Sequence, residues 1–361
     1  MNLAIAGELL FRSQNEATKR WIVVLATGDH VGLYSSGDLR HWRHESDFGA
    51  GLGAHAGVWE CPDLMPLPYE GGTRWLLLVS VGEGAPNGGS GTQYFLGDFD
   101  GHTFHADVVP GARWVDYGTD NYAGSTWSGG PPGDARTLFI GWMSNWQYAT
   151  RVPTTTWRSS MTLPRELSLV RSAGVPELRS RPAAEVAALR VHSATVAARE
   201  VSGPIDLIAA SGPNPVGERA GLYELDLSID LRAAGDVQLA FANRAGERTR
   251  FHVNRGEGRY VLDRASSGEV GFSGAFPALQ SAPIPDGAAA GGLVKLHVFL
   301  DRNSIELFIN EGQTVMSALV FPAEPYDRIL LHGDAPIGLA GATLYDLESS
   351  RAAHRGAGPG R

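Results

Sequence analysis

Short apolar stretches closed by turn residues recur along the first half of the chain. Four stretches that predict strands are RWIVVLATGDHVGLYSS (20–36), RWLLLVSVG (74–82), TQYFLGDFDG (92–101) and TLFIGWMS (137–144). Turn-forming residues mark the expected hairpins at Asp38, Gly97-Asp98, Asp100-Gly101 and Gly133-Asp134. Regular short strands with little helix predict an all-β architecture, either a propeller or a sandwich.

The character of the sequence changes around residues 171–197. An Ala/Glu/Leu stretch at 183–190 predicts a short helix, and we interpret 173–197 as a linker. Beyond it, YELDLSIDL (223–231) alternates apolar and charged residues with period two, as a half-buried strand does. The segment DRNS (301–304) predicts a hairpin turn between two further strands. This half of the chain therefore predicts a second, sandwich-like domain.

The predicted organisation has four parts. Residues 1–172 form a first β domain, 173–197 the linker and 198–350 the second β domain, and the tail RAAHRGAGPGR (351–361) is expected to be disordered. Tryptophans at strand ends recur at roughly the spacing of propeller blades. They are Trp21, Trp42, Trp75, Trp114 and Trp142, and for most of these five we prefer core packing as the explanation.

Composition narrows the function classes. The 361-residue chain carries a formal net charge of -9, which argues against a nucleic-acid partner because such a partner needs a basic face. No apolar run approaches the ~18 residues of a membrane span, and the N-terminus lacks the basic start and apolar stretch of a secretion signal. A single cysteine, Cys61, excludes an internal disulfide, and the 11 His show no metal-binding spacing. We expect no metal or cofactor, and a neutral substrate.

The densest polar and aromatic cluster is WECPDL (59–64). Glu60 lies between a tryptophan and a cysteine, and apolar surroundings of this kind raise the pKa of a carboxyl group. A general acid needs a raised pKa in order to hold its proton near neutral pH. A strand-end glutamate paired with an arginine explains Glu60 equally well. Asp63 follows three residues later, but in an extended segment the two side chains need not meet.

A second cluster comprises WVDYGTDNYAGSTW (114–127) and IGWMSNWQYATRVPTTTWRSSMTLPREL (140–167). Tryptophan, tyrosine, asparagine and glutamine are side chains that stack on sugar rings and hydrogen-bond to them. An aromatic core explains part of the cluster, but it explains four polar members poorly: Asp116, Asp120, Asn145 and Gln147. No serine lies in a nucleophile elbow, and no glycine-rich loop has the context of a phosphate site. A sugar site is therefore favoured.

These stretches resemble glycoside hydrolase family 32, and within it the exo-acting levanases and inulinases. The resemblance runs from about residue 16 to 347, and seven stretches carry it: EATKRWIVVLA (16–26), LYSSGDLRHW (33–42), WECPDL (59–64), GGSGTQYFLGDFDG (88–101), DYGTDNYAGSTW (116–127), GWMSNWQYATRVPTTTWRSSMTLPREL (141–167) and VFLDRNSIELFINEGQTVMSALVFP (298–322). It implies a five-bladed β-propeller followed by a β-sandwich, without a cofactor. The implied reaction is retaining hydrolysis of terminal β-fructofuranosyl residues in levan, inulin or sucrose.

The resemblance also implies roles for individual residues. The family's acid/base maps onto Glu60, and its substrate-stacking tryptophan maps onto Trp146. Asp120 and Tyr122 lie in a motif near the family's pocket, and Trp59, beside the acid, completes the expected substrate-binding set.

Three departures from the family pattern stand out. The motif WMNDPNG, which holds the nucleophilic aspartate, does not occur, and the position of the Arg-Asp-Pro motif reads GELLFRSQN (7–15). Gly82 stands where family members place a pocket asparagine. We therefore expect a partial propeller, with the first blade and part of the second missing, and impaired hydrolysis. The alternative is a non-catalytic fructan-binding protein or a non-functional fragment. Family members are secreted or cytoplasmic, and neither compartment nor oligomeric state follows from the sequence.

Overall fold

The computed structural model describes residues 9–15 (backbone only), 18–127, 130–212, 221–232, 234–285 and 292–349. Almost every element in this part of the chain is a strand, which confirms the all-β prediction. The described helices are the α-helix Leu207–Ala210 and the 3-10 helices Ala149–Arg151 and Ala184–Leu189. None of them is long and apolar enough to cross a membrane.

The chain divides into two compact units. The first comprises Met1–Gln147 and Ser159–Arg179, and the second comprises Tyr148–Arg158 and Ser180–Arg361. The short segment that follows Trp146 and Gln147 therefore belongs to the second unit.

Three antiparallel sheets build the first unit. Sheet A contains β1 (Leu9–Asn15), β2 (Arg20–Ala26), β3 (Val31–Ser36) and β4 (Trp42–Phe48). Sheet B contains β5 (Trp59–Tyr69), β6 (Gly72–Val81), β7 (Gly91–Phe99), β8 (Phe104–Ala106) and β9 (Arg113–Trp114). Sheet C contains β10 (Tyr122–Thr126), β11 (Thr137–Met143), β12 (Ser160–Met161), β13 (Arg165–Ser172) and β14 (Val175–Pro182).

Sheet B is covered on both faces, as a propeller blade is by its neighbours. Alternate residues of β6 point to opposite faces: Leu77 and Val79 join a core shared with sheet A, whereas Leu76 and Leu78 join a core shared with sheet C. This two-sided burial explains why the strand reads as a continuous apolar run. A five-bladed propeller has five such sheets, and the described residues form three. The absence of the first blade and of part of the second stays a prediction.

The hairpin expected at Gly97-Asp98 is wrong, because both residues lie inside β7. The chain turns instead at Asp100-Gly101, which confirms the next predicted turn. Strand β8 approaches Gly97 so closely that a Cβ there would lie 2.2 Å from the carbonyl oxygen of His105. The glycine thus marks a close backbone approach rather than a turn.

The segment interpreted as a linker, 173–197, is largely structured. It contains β14, which pairs in sheet C, then the 3-10 helix Ala184–Leu189, and then β15 (Arg190–Val196), which pairs in the second unit. The helical turn predicted at 183–190 is therefore present. The predicted disordered tail, 351–361, lies outside the described residues.

The second unit is a sandwich of two antiparallel sheets. One sheet contains β15, β16 (Arg199–Val201), β18 (Tyr223–Asp230), β23 (Leu293–Asp301), β24 (Ser304–Ile309), β25 (Thr314–Leu319) and β27 (Ile337–Leu347). The other contains β17 (Ile205–Asp206), β19 (Asp236–Ala242), β20 (Arg248–Asn254), β21 (Arg259–Ser266), β22 (Leu279–Pro283) and β26 (Arg328–Gly333). The strand predicted at 223–231 and the hairpin predicted at 301–304 are both confirmed.

Candidate active site

Two β-bulges lie side by side at the starts of β5 and β10. In β5, Glu60 pairs with Ser80 and Asp63 pairs with Leu78, so the strand carries one extra residue between them. Cys61, within this bulge, has a left-handed backbone with φ of 46°, which is uncommon for a residue other than glycine. Bulges re-aim side chains and are over-represented next to active sites.

The second bulge, in β10, follows the same plan. Tyr122 pairs with Trp142 and Ser125 with Ile140, again with one extra residue, and Ala123 has φ of 49°. In a regular strand, two residues three positions apart point to opposite faces. The extra residue in β5 places Glu60 and Asp63 on the same face, so both side chains point toward β10.

The side chains of Glu60 and Tyr122 form the first of two contacts between β5 and β10. The Tyr122 hydroxyl donates a hydrogen bond to Oε2 of Glu60. Glu60 is half-buried and Tyr122 is 2% exposed, so a tyrosine fixed by its surroundings holds a carboxylate that solvent and ligand can reach. The structure thus brings together two residues that the sequence assigned to the site.

Asp63 makes the second contact and has a structural use. Its Oδ2 accepts hydrogen bonds from the backbone N–H of Thr126 at 2.9 Å and from the Thr126 hydroxyl at 2.6 Å. Asp63 is 1% exposed. Its carboxylate therefore fastens β10 to β5 beyond the bulges and so fixes the spacing of Glu60 and Tyr122.

An aromatic path leads from Tyr122 to the surface. The Tyr122 ring lies edge-on to Trp142 at 6.2 Å, and Trp142 lies 4.9 Å from Trp146. Trp146 is 58% exposed, so its ring is accessible to a ligand. Trp142, one of the five tryptophans for most of which core packing was the preferred explanation, is half-buried and belongs to this path. Its cross-strand position opposite Tyr122 is the signal that sequence alone could not supply.

Asn145 is completely buried and holds in place the segment that carries Trp146, which we call the Trp146 loop. Its Nδ2 donates to three backbone carbonyl oxygens, those of Gly88, Ser90 and Thr119, at 3.2, 3.4 and 2.9 Å. Its Oδ1 accepts from the N–H of Gln147 at 3.0 Å, and the Ser90 hydroxyl accepts from the N–H of Trp146 at 3.2 Å. A Cβ at Gly89 would lie 2.1 Å from Oδ1 of Asn145, so only glycine fits there. The polar atoms of the Asn145 side chain therefore bind the protein's own backbone rather than a ligand.

Two aspartates of the same cluster are also buried. Asp116 is 4% exposed and forms an ion pair with Arg165 at 2.9 Å, in which both side chains are almost fully shielded. Asp120 is fully buried and accepts a hydrogen bond from the Thr119 hydroxyl at 3.1 Å. Asp120 lies two residues before Tyr122, on the segment that enters β10.

Trp59 lies in the core shared by sheets A and B. It is 1% exposed, its Nε1 donates to the carbonyl oxygen of Ala54 at 2.8 Å, and its ring stacks against His55 at 4.9 Å. A buried ring cannot stack on a sugar in this structure, so Trp59 supports the site by packing. Gly82, by contrast, faces open space, since a Cβ there would meet nothing within 4 Å.

Comparison with known proteins identifies the family. Residues 12–182 match the glycosyl hydrolases family 32 N-terminal domain, and residues 185–336 match the family 32 C-terminal domain. The chain belongs to glycoside hydrolase family 32. This confirms the resemblance and, with the solved relatives, the propeller-plus-sandwich fold class.

Individual relatives of this family-32 chain are fructan-degrading enzymes. A levanase from Bacillus subtilis (strain 168) is 38% identical over 314 residues, which cover 85% of this chain and 45% of the levanase. An extracellular exo-inulinase from Aspergillus awamori is 33% identical over 326 residues, covering 86% and 58% of the two chains. A crystal structure of exo-inulinase from Aspergillus awamori has a TM-score of 0.80 at 30% identity and covers 93% of this chain and 66% of that one. The chain thus spans about half the length of these curated relatives.

Proposed function

We propose that the protein acts on β-fructofuranosyl linkages of levan, inulin or sucrose, with Glu60 as the proton donor to the leaving oxygen. The observation that carries this proposal is the hydrogen bond from Tyr122 to Glu60 at the paired bulges. Trp142 and Trp146 continue from that pair to the surface and offer aromatic faces for a sugar ring. The levanase and exo-inulinase relatives support the same substrate class.

The expected rate of fructan hydrolysis depends on whether the site contains both carboxyl groups of a retaining glycosidase. A retaining glycosidase uses two carboxyl groups about 5–5.5 Å apart, one as nucleophile and one as acid/base. This sequence lacks the motif WMNDPNG that carries the nucleophile in the family. We therefore propose that the chain on its own hydrolyses fructan several orders of magnitude more slowly than a relative with both groups.

Azide, an external anion, offers a direct test of a site that has the proposed proton donor but not the nucleophile motif. Azide can attack the anomeric carbon of the fructosyl unit while Glu60 protonates the leaving oxygen, so the glycosidic C–O bond breaks as a C–N bond forms. We expect release of glucose from sucrose by the purified chain to rise with azide concentration. Glu60→Gln is isosteric and carries no transferable proton, so the azide-dependent release should disappear in that variant. Equal release by both proteins would contradict the role of Glu60.

A second candidate function, fructan binding without cleavage, is favoured by the exposure of Trp146. Calorimetry with levan and inulin separates binding from fructose release. Trp146→Ala should weaken binding about tenfold, the equivalent of roughly 1.4 kcal/mol, because it removes the aromatic face on which a sugar ring would stack. Trp127→Ala is the matched control, since Trp127 is 51% exposed in the same unit but lies at the opposite end of β10 from Tyr122. An equal loss in both variants would contradict a site at Trp146.

A further inference from the structure

A fully buried arginine, Arg264, lies on β21 of the second unit and connects three chain segments. Its Nε donates to the Phe276 carbonyl oxygen at 2.8 Å, and its Nη1 donates to the Leu319 carbonyl oxygen at 3.1 Å. Its Nη2 donates to the Tyr148 hydroxyl at 2.8 Å. Each nitrogen of the guanidinium therefore holds a different segment of the chain.

This arrangement requires an arginine. The guanidinium is a planar fork whose donors point in fixed directions, whereas a lysine ammonium is a compact point charge on a flexible stem. Burying a cation costs free energy, so an apolar side chain such as methionine would serve better at a position that only needs to be filled. The presence of Arg264 is therefore explained by the partners that it fixes and not by its volume.

Tyr148 is the partner that leads back to the candidate site. Its side chain is 1% exposed, and its ring lies edge-on to the rings of Phe276 at 5.3 Å and Phe272 at 6.4 Å. The Arg264 guanidinium lies 5.2 Å from the centre of the same tyrosine ring. The Tyr148 carbonyl oxygen accepts from the N–H of Arg151 at 2.8 Å and so opens the 3-10 helix that follows. Tyr148 is thus fixed in the second unit through its hydroxyl, its ring and its backbone.

Trp146 lies only two residues before Tyr148. Two trans peptide units span at most about 7.6 Å between Cα atoms, so a fixed Tyr148 limits where the Trp146 backbone can lie. On the other side of Trp146, the Asn145 carboxamide binds three backbone carbonyl groups. The Trp146 ring is 58% exposed and lies 4.9 Å from Trp142, so packing supports it from one side. Its orientation therefore depends on Asn145 and Tyr148, the two anchors that flank it.

We propose that Arg264 is a positioning residue for sugar binding, because its bond to the Tyr148 hydroxyl fixes the chain beside Trp146 and so the face that Trp146 presents to a sugar ring. This inference rests on the proposed function, since it requires a fructan ligand that stacks on Trp146. Arg264 is fully buried and acts without touching that ligand. A residue of the second unit thus affects affinity through two residues of chain.

Tyr148→Phe isolates the bond from Arg264, because it removes the hydroxyl and keeps the ring. In titration calorimetry with inulin, we expect its dissociation constant to be about fivefold higher than that of the unaltered chain, the equivalent of roughly 1 kcal/mol. Tyr260→Phe is the matched control. Tyr260 is fully buried on the same strand as Arg264, and its hydroxyl accepts a hydrogen bond from the Asn310 side chain at 3.3 Å. Its loss should change the affinity less than twofold, and urea unfolding checks that both variants are folded.

A double-mutant cycle distinguishes the positioning of Trp146 from a general loss of structure. In a Trp146→Ala background the ring to be positioned is absent, so adding Tyr148→Phe should change the dissociation constant less than twofold. Arg264→Lys keeps the charge but cannot reach three partners at once, so it should weaken inulin binding by the same factor as Tyr148→Phe. If the Arg264→Lys chain does not fold, the Tyr148→Phe cycle decides alone, because that variant keeps the guanidinium and the ring.

The outcomes separate the positioning role from the proposed function. Unchanged inulin affinity in Tyr148→Phe, an equal loss in Tyr260→Phe, or an undiminished effect of Tyr148→Phe in the Trp146→Ala background would overturn the role while fructan binding stands. A folded Arg264→Lys chain with full affinity would do the same. Absence of inulin binding by the unaltered chain would overturn the proposed function together with this inference.

Discussion

Asn145 allows a sharp test of how the Trp146 loop is held. Its buried Nδ2 donates to three backbone carbonyl oxygens, and its Oδ1 accepts from the N–H of Gln147. Asn145→Ala removes two N–H groups, which the three carbonyl oxygens share, and the oxygen that accepts from Gln147. At about 1 kcal/mol for each hydrogen bond, we expect the free energy of unfolding to fall by roughly 3 kcal/mol.

Asn145→Asp has the same shape and should be worse at neutral pH. It preserves the acceptor for Gln147 but turns a carboxylate oxygen toward three carbonyl oxygens and buries a charge. We expect a total loss of about 5 kcal/mol or more, because an unpaired buried charge costs more than a missing hydrogen bond.

The pH dependence of the two variants provides the discriminating assay. The new carboxyl group has a raised pKa in the folded state, so its protonated form, which carries an O–H donor, is the better tolerated one. Its deficit relative to Asn145→Ala should therefore be smallest below about pH 4, and should grow as pH rises through the folded-state pKa. Urea unfolding of both variants and the unaltered chain at pH 4 and pH 7 measures this difference.

Two results would refute the reasoning on Asn145. One is an alanine variant as stable as the unaltered chain, which would mean that the three carbonyl groups find other donors at no cost. The other is an aspartate variant at least as stable as the alanine variant at pH 7. Either would show that the orientation of the carboxamide does not hold the loop.

Two further predictions concern carboxylates of the first unit. Burial raises the pKa of Glu45, but hydrogen bonds from Ser35, His102 and a neighbouring arginine outweigh it and lower the pKa from 4.5 to about 2. Glu45→Gln should therefore lose up to about 3 kcal/mol above pH 4.5, a deficit that vanishes toward pH 2 in acid unfolding. Arg165→Met removes the cation that pairs with the buried carboxylate of Asp116, which keeps hydrogen bonds from the Gly118 N–H and the Asn121 side chain, and it should cost about 3–5 kcal/mol; adding Asp116→Leu should restore part of this loss in the same urea assay.

Strands of the second unit that bury one face could be predicted well from their alternation of apolar and polar residues. In YELDLSID, Leu225, Leu227 and Ile229 are at most 2% exposed, while Asp226 and Ser228 are half-buried. The alternation of apolar and polar residues in the sequence therefore matches the alternation of buried and half-buried side chains. The same reasoning failed at Gly97, where a glycine serves the close approach of a neighbouring strand. Residue type does not distinguish these two uses of glycine.

The site could be predicted in part. Glu60 and Tyr122 were assigned from the family resemblance, and the structure brings them into contact. Asn145 and Asp116 have the side chains of a sugar site, yet they bind the protein's own backbone and Arg165. Whether a polar side chain faces a ligand or its own fold depends on residues distant in sequence, such as Thr119 for Asn145. The local sequence pattern does not identify such a distant partner.

The paired bulges show why the relation between Glu60 and Asp63 was beyond sequence reasoning. Three residues apart in a regular strand, their side chains point to opposite faces, and this is what the alternation of WECPDL indicates. One extra residue at Cys61 brings both to the face of β10, where Glu60 meets Tyr122 and Asp63 meets Thr126. The bulge at β10 acts on a different pair, since it brings Tyr122 and Ser125 to one face and leaves Thr126 to meet Asp63 through its backbone N–H as well as its hydroxyl. The relation between the acid and its anchor therefore depends on an insertion in β5 that has no sequence signature of its own.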